Sequence, residues 1–177
     1  GKALKIINHP YRSEIPIALA TLGEKSVEMT AEIADAWLPA FFMAEGADAV
    51  WGDALRAGNA KRDPGLPPLE IYAGGSVAVG QGLESYRDMA RPNIALYVGG
   101  MGAKEKNFYN QVFRKYGYED EAEEIQNLYL AGRKSAAEAA IPQSYLDATS
   151  LVGDEGFIRD RLQVYREAGV TSLSVAF

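Results

Sequence analysis

Cysteine is absent from the 177 residues, and histidine occurs once, at His9. Without a thiol there is no disulfide framework, no thiolate nucleophile and no cysteine-held metal, and redox chemistry leaves the compartment unmarked. Cytoplasm is then the default expectation. Basic residues are the minority, 18 against 24 acidic for a net charge of −6, which argues against general affinity for nucleic acid or an anionic membrane surface. No apolar run approaches the roughly 20 residues of a bilayer span. Gly1-Lys2-Ala3-Leu4-Lys5 has no signal-peptide core, and the absence of an initial Met suggests that an upstream portion has been removed. What remains is 47% hydrophobic content, enough for one domain with a sizeable core.

The apolar run Ile15 to Thr21, entered through Pro16, reads as a buried parallel strand broken by Gly23. Val27, Thr30, Ala31 and Ala34 then repeat at i, i+3, i+4, i+7, the stripe of a helix with one buried face. Ala36 to Pro39 reads as a second strand, and Ala44 to Lys61 as a second helix with Val50, Trp51, Ala54 and Leu55 inward. The breaker cluster Asp63 to Pro68 ends that unit. A third strand starts at Leu69 and meets Gly74-Gly75 before Ser76 to Val79. From about 83 to 150 the pattern is helical, interrupted at Gly99-Gly100 and Gly117, and too long for a single crossover helix, so it reads as a helical insertion. A last helix opens at Gly153-Asp154-Glu155, with Ile158, Leu162, Val164 and Tyr165 inward, and Ala168-Gly169 leads to a terminal strand over Val170 to Val175.

The expected fold class is therefore α/β with parallel strands, because every connection is long enough to cross over. Four such units fit half of a barrel or a small open doubly wound sheet, and the ending Glu167-Ala168-Gly169-Val170-Thr171 favours the barrel.

Few constellations suggest chemistry. A strand ending at Thr21 and a helix starting near Glu24 place free N–H groups at a helix N-terminus, an anion site to which Lys25 and Ser26 could add charge and a hydroxyl; the plainer reading is a βα turn. Gly74-Gly75 allows a close backbone approach to a ligand, with a strand kink or bulge as the plainer reading. Trp37, Phe41 and Phe42 could wall a pocket, with core packing the favoured role for Trp37. His9 sits before the first strand, away from the chemical face. The acidic run Glu119 to Glu124 reads as a solvated helix start, and no metal is expected. Gly99-Gly100-Met101-Gly102 lacks a leading strand and is a helix break, not a phosphate loop. Phe108, Tyr109, Phe113, Tyr116 and Tyr118 at helical spacing suit a core or an oligomer interface.

The stretch Ile15-Pro16-Ile17-Ala18-Leu19-Ala20-Thr21-Leu22-Gly23-Glu24-Lys25-Ser26, continued by Ala31-Glu32-Ile33-Ala34-Asp35-Ala36-Trp37-Leu38-Pro39, resembles the luciferase-like flavin and deazaflavin monooxygenases and reductases at their fifth and sixth barrel strands. Leu151-Val152-Gly153-Asp154-Glu155 is similar to the start of that family's last helix, and Ala168-Gly169-Val170 to its ending. Two departures are Ala36 in place of the family's usual Gly and the single Gly23 after Leu22 where many members have two glycines. The resemblance implies the C-terminal half of a (β/α)8 TIM barrel: its last four βα units, with a helical insertion before the final one, as a single domain over 1–177. It implies cofactor contacts at Thr21, Leu22, Gly23 and Lys25 for a phosphate and at Gly74 and Gly75, and a substrate pocket at Trp37, Phe41 and Phe42. Tyr97 to Gly102 is similar to actinobacterial members that use the deazaflavin coenzyme F-420, with FMN as the alternative cofactor. The implied activity is hydride transfer to or from an organic small molecule. In related enzymes the catalytic acid and base lie largely on the first strands, so none is named here. The implied partners are the missing N-terminal half of the barrel and further copies in a homo-oligomer. The rival expectation is an inactive half-barrel module that self-associates.

Overall fold

The computed structural model describes residues 7–9 and 11–176. The N-terminal pentapeptide read above, and Pro10 beside His9, lie outside the described residues; His9 itself is exposed ahead of the first strand. Five parallel strands, β1 (Ala18–Leu19), β2 (Ala36–Trp37), β3 (Glu70–Val79), β4 (Leu151–Gly153) and β5 (Ser172–Ala176), form one open sheet. Eight α-helices are described: α1 (Glu24–Ile33), α2 (Asp53–Lys61), α3 (Arg91–Gly100), α4 (Phe108–Lys115), α5 (Glu119–Leu130), α6 (Lys134–Ala139), α7 (Gln143–Ala148) and α8 (Glu155–Glu167).

The first two strands are shorter than the apolar runs that suggested them. β1 keeps only Ala18 and Leu19 of Ile15 to Thr21, and Ile15 and Ile17 are exposed. The expected second helix is continuous in path but not in winding. A 3₁₀ turn at Ala44–Gly46 and a wide turn at Asp48–Gly52 precede the regular turns of α2. Its inward residues are those expected, with Val50, Trp51 and Ala54 buried and Leu55 packed against the same core. The stripe of α1 is also as expected: Val27, Thr30, Ala31 and Ala34 are all buried. α1 and α2 cross closely at Gly58, where a Cβ would stand 2.1 Å from the Glu28 carbonyl oxygen. Arg62 donates to the carbonyls of Ala31 (3.0 Å) and Ala34 (2.8 Å), satisfying the end of α1.

β3 organises the sheet. Its Glu70 N–H donates to Asp35 O on the β2 side, while its Ile71 O accepts from Thr171 N–H on the β5 side. Successive peptide groups of a strand point to opposite sides, so β2 and β5 flank β3. The glycine pair does not interrupt the strand, which runs unbroken through Gly74 and Gly75. Both positions are closely approached by backbone. A Cβ on Gly74 would lie 2.1 Å from Ser174 O, and one on Gly75 would lie 2.3 Å from Thr149 O.

β4 was not expected. The sequence of Leu151 to Gly153 suggests only a lead into the last helix, but its three residues pair with Val77 to Val79 of β3. Gly153 takes φ 154° and Asp154 caps α8 by accepting from Phe157 N–H. In α8 Tyr165 is buried and Val164 packs against the core as expected, whereas Leu162 is 40% exposed and Arg161 is buried instead. Arg161 turns inward because the Glu45 carboxylate and the Ala148 carbonyl receive its guanidinium.

Two apolar clusters result. One lies between the sheet and α1, α2 and α8, around Trp37, Phe42, Trp51 and Tyr165. The other fills the helical insertion, around Ile94, Val98, Phe113, Ile125 and Tyr145. Gly117, at φ 88°, breaks the insertion where expected, and α3 likewise ends at Gly100, where Gly99 and Gly100 let the Tyr129 ring pack against it. Tyr116 belongs to both clusters. Its hydroxyl donates to Phe41 O (3.0 Å) and accepts from Met43 N–H (3.0 Å), and burial pushes its phenol well above the ordinary range. It therefore remains protonated, a donor, at any working pH.

Two outcomes are expected. Burial raises the Glu45 carboxyl, but the Arg161 hydrogen bond and charge outweigh it, leaving the net pKa below the ordinary 4.5. Stability from this pair is then complete above about pH 4.5 and is lost as pH falls below it. Glu45→Gln should cost about 1 kcal/mol at pH 7, a small figure because the carboxylate is partly solvated, and the gap in melting temperature from the parent should narrow as pH falls below about 4.5. Gly74→Ala should lower stability by about 3 kcal/mol in urea unfolding, because the new methyl meets backbone that has no room to yield.

Candidate functional site

The geometry of the site follows from where the β2 ladder stops. The pairs Ala36 with Glu70 and Trp37 with Ile71 carry the ladder as far as Trp37. The next rung would need an N–H from residue 39 to meet the Tyr72 carbonyl, and residue 39 is proline, which has none. β4 lies on the same side of β3, since Gly80 N–H donates to Gly153 O, but its register begins only at Val77. Between the two, the peptide groups of Gly74 and the N–H of Ser76 face a gap in the sheet. Among the described residues, no backbone partner across the gap is found for them.

A cavity of about 200 Å³ occupies this gap. Its walls include Phe41, Phe42, Gly74, Gly75, Tyr145 and Ser150. Arg87 also borders it but is committed: Nε and one terminal nitrogen donate to Val152 O, the other pairs with Asp147 at 2.6 Å, and the guanidinium lies 4.6 Å from the Phe157 ring centroid. Two side-chain hydroxyls are left over. Tyr145 Oη and Ser150 Oγ are buried without a hydrogen-bond partner, on residues 1% and 6% exposed. Neither hydroxyl is singled out by the sequence, because an unpartnered buried group is visible only once its neighbours are placed.

A second, more open cavity of about 400 Å³ lies against the sheet, lined by Leu38, Pro39, Tyr72 to Ser76 and Ser174 to Ala176. It shares Pro39, Gly74, Gly75 and Ser76 with the first. The expected pocket residues thus divide. Phe41 and Phe42 do wall a cavity, and Phe41 holds a left-handed φ of 57° there. Trp37 borders neither cavity; it is fully buried, packs edge-on to Trp51 at 5.2 Å and donates its indole N–H to Thr21 O at 2.9 Å. Gly74 and Gly75 border both cavities.

The Thr21 to Lys25 turn stands apart from this pair of cavities. Its carbonyls are taken by two tryptophans, Thr21 O by Trp37 and Leu22 O by Trp51 at 3.0 Å. Thr21 Oγ1 bonds Thr30 Oγ1 at 2.8 Å, and Gly23 O accepts from Val27 N–H and Ser26 Oγ. The insertion folds over this turn, and a cavity of about 200 Å³ is bounded there by Leu22, Gly23, Glu24, Phe108, Gln111 and Lys115. The cation beside the α1 N-terminus in that cavity is Lys115, contributed by α4; Lys25 is exposed outside it. The N-terminus of α1, its glycine and that ammonium fit an anionic group in kind. Sequence proximity pointed to Lys25; only the fold could bring in Lys115.

Among the described residues, no group of three or more acidic or histidine side chains could hold a metal ion, and no helix is long and apolar enough to cross a membrane. The luciferase-like monooxygenase family matches residues 2–172. A protein of Mycobacterium tuberculosis named as a coenzyme F420-dependent oxidoreductase is 38% identical over 99% of this chain, which spans 51% of that relative. Among solved structures, the coenzyme F420-dependent tetrahydromethanopterin reductase of Methanopyrus kandleri superposes with a TM-score of 0.66 at 19% identity, over 91% of this chain and 44% of that one. An F420-dependent secondary alcohol dehydrogenase, solved with an F420–acetone adduct, superposes with a TM-score of 0.53 at 14% identity, over 92% and 43%. The chain spans about half the length of the relatives it matches. With the family model matching nearly every residue, the chain belongs to the luciferase-like monooxygenase family, and it shares its parallel α/β fold with the two solved structures.

Proposed function

We propose that this chain is the C-terminal half of a (β/α)8 barrel oxidoreductase, one domain over 1–177 with a helical insertion at about 83–150, that moves a hydride between the deazaflavin coenzyme F-420 and an organic substrate. The observation that carries this reading is the open parallel sheet. β1 pairs with β2 and β5 with β3, and each keeps its outer edge unpaired among the described residues. Beside those edges Ile15 is 70% exposed, Ile17 60%, Leu162 40% and Leu173 41%, which is apolar surface that four further strands and their helices would cover. The missing N-terminal half is therefore the first partner proposed, and it would bring the catalytic acid and base. Cytoplasm remains the proposed compartment, and a homo-oligomer the proposed assembly of the complete enzyme.

Within this half, the α1 N-terminus at Gly23 and Lys115 would hold the coenzyme phosphate, and Gly74 and Gly75 would border its ring. Phe41 and Phe42 would exclude water from the substrate. When bound, the deazaflavin supplies the carbon that gives or accepts the hydride. The residues of this chain bind, orient and shield; none is assigned a proton-transfer role.

FMN is the alternative cofactor, and an inactive, self-associating half-barrel the alternative role. The test is a titration of the 177-residue chain, and of a longer chain carrying the preceding half, with oxidised F-420 followed by its fluorescence, and with FMN in parallel. The expected result is tighter binding of F-420 than of FMN, at least tenfold stronger in the longer chain. Preference for FMN would move the assignment to the flavin enzymes. Binding of neither, with self-association in sedimentation, would leave the half-barrel module.

A further inference from the structure

The gap between β2 and β4 offers an edge of peptide character. Gly74 presents both N–H and C=O to it, with Tyr72 C=O on one side and Ser76 N–H on the other, because Pro39 ends the β2 ladder and β4 starts only at Leu151. Tyr145 and Ser150, whose buried hydroxyls have no partner, are among the residues that line the cavity in that gap. A buried polar group without a partner is costly, so groups left this way around one cavity mark a place where a polar molecule completes them. Among the described residues that line the cavity, Arg87 carries the one charge, and it is paired with Asp147 and hydrogen-bonded to Val152 O. Phe41, Phe42, Ile94 and Leu146 supply apolar wall.

We propose that this gap is a binding slot for an uncharged, planar group carrying adjacent N–H and C=O functions, an amide, lactam or imide edge, held by the Gly74 peptide groups and completed by Tyr145 and Ser150. The donor and acceptor of such an edge pair with Gly74 as a neighbouring strand would. The charge balance excludes carboxylates and ammonium groups, which would enter without a counter-ion. The same edge could belong to a substrate or to the pyrimidinedione end of a flavin-like coenzyme. The proposal deepens the reading of this cavity as part of the active site, and its test separates the two.

The probes are glutarimide, N-methylglutarimide, which lacks the donor, and glutarate, which is charged. Each is titrated into the 177-residue chain and followed by saturation-transfer NMR and by the shift in melting temperature. Glutarimide is expected to bind, the N-methyl compound at least fivefold more weakly and glutarate not at all. Ser150→Ala and Tyr145→Phe should each weaken glutarimide by about 3- to 10-fold. Tyr145→Phe removes an unpartnered buried hydroxyl, so it should not lower the melting temperature of the free protein; if it unfolds the chain, the hydroxyl is structural and the slot as drawn is overturned. Equal binding of glutarimide and its N-methyl derivative, or unchanged affinity in both variants, also overturns it. With glutarimide bound, oxidised F-420 is then added: displacement assigns the edge to the coenzyme, and simultaneous binding assigns it to the substrate. Glutarimide binding in a chain that takes no F-420 keeps the slot while removing the coenzyme assignment.

Discussion

The organisation of this chain depends on how one strand is shared. β3 gives its first residues to β2, its middle to β5 and its last three to β4, and among the described residues no other strand touches more than one partner besides it. A strand paired this way must tolerate backbone approaching from several directions, and Gly74 and Gly75 are where that happens. The unpaired stretch on the β2 side is a product of the same arrangement. It exists because one neighbour ends in a residue that cannot donate and the other begins too late.

Around this strand the molecule is tied by a few polar side chains reaching across elements. Arg62 finishes α1 from the end of α2, and Arg161 joins α8 to the Glu45 turn and to the end of α7. Arg87 holds the approach to β4, and Arg91 reaches the carbonyls of Glu138 and Ile141. Asn107 and Asn110 do similar service inside the insertion, donating to Tyr97 O, Val98 O and Ala122 O. Most of these acceptors are carbonyls at or just beyond helix C-termini, which have no intrahelical N–H to bond.

Much of the layout was legible in the sequence because periodicity reports burial. The stripe Val27, Thr30, Ala31, Ala34 and the triad Val50, Trp51, Ala54 were readable as helix faces, and they are buried. So was the capped run from α8 through Gly169 into β5. β4 was illegible, since three residues carry no period. The inward turn of Arg161 was also hidden, because hydropathy ranks leucine ahead of arginine until a carboxylate and a carbonyl are found waiting for it. At the site, Gly23, Gly74, Gly75, Phe41 and Phe42 stood out by residue type. Lys115, Tyr145 and Ser150 did not, because their relevance comes from contacts across distant segments. Pro39 was visible throughout, but its consequence needed the register of β3.

Phe41 is the one described residue other than glycine with a left-handed backbone, a conformation that costs a side-chain-bearing residue about 1–2 kcal/mol. It is held there by the Tyr116 hydroxyl, which donates to the Phe41 carbonyl and accepts from Met43 N–H, the two peptide groups that follow it, and by the rings of Tyr97 and Tyr109. All three tyrosines belong to the helical insertion. The insertion therefore acts as a template that sets the angle of an aromatic wall it does not itself form. Substitutions at these three tyrosines would change the shape of the cavity through this one bent residue while leaving the sheet untouched.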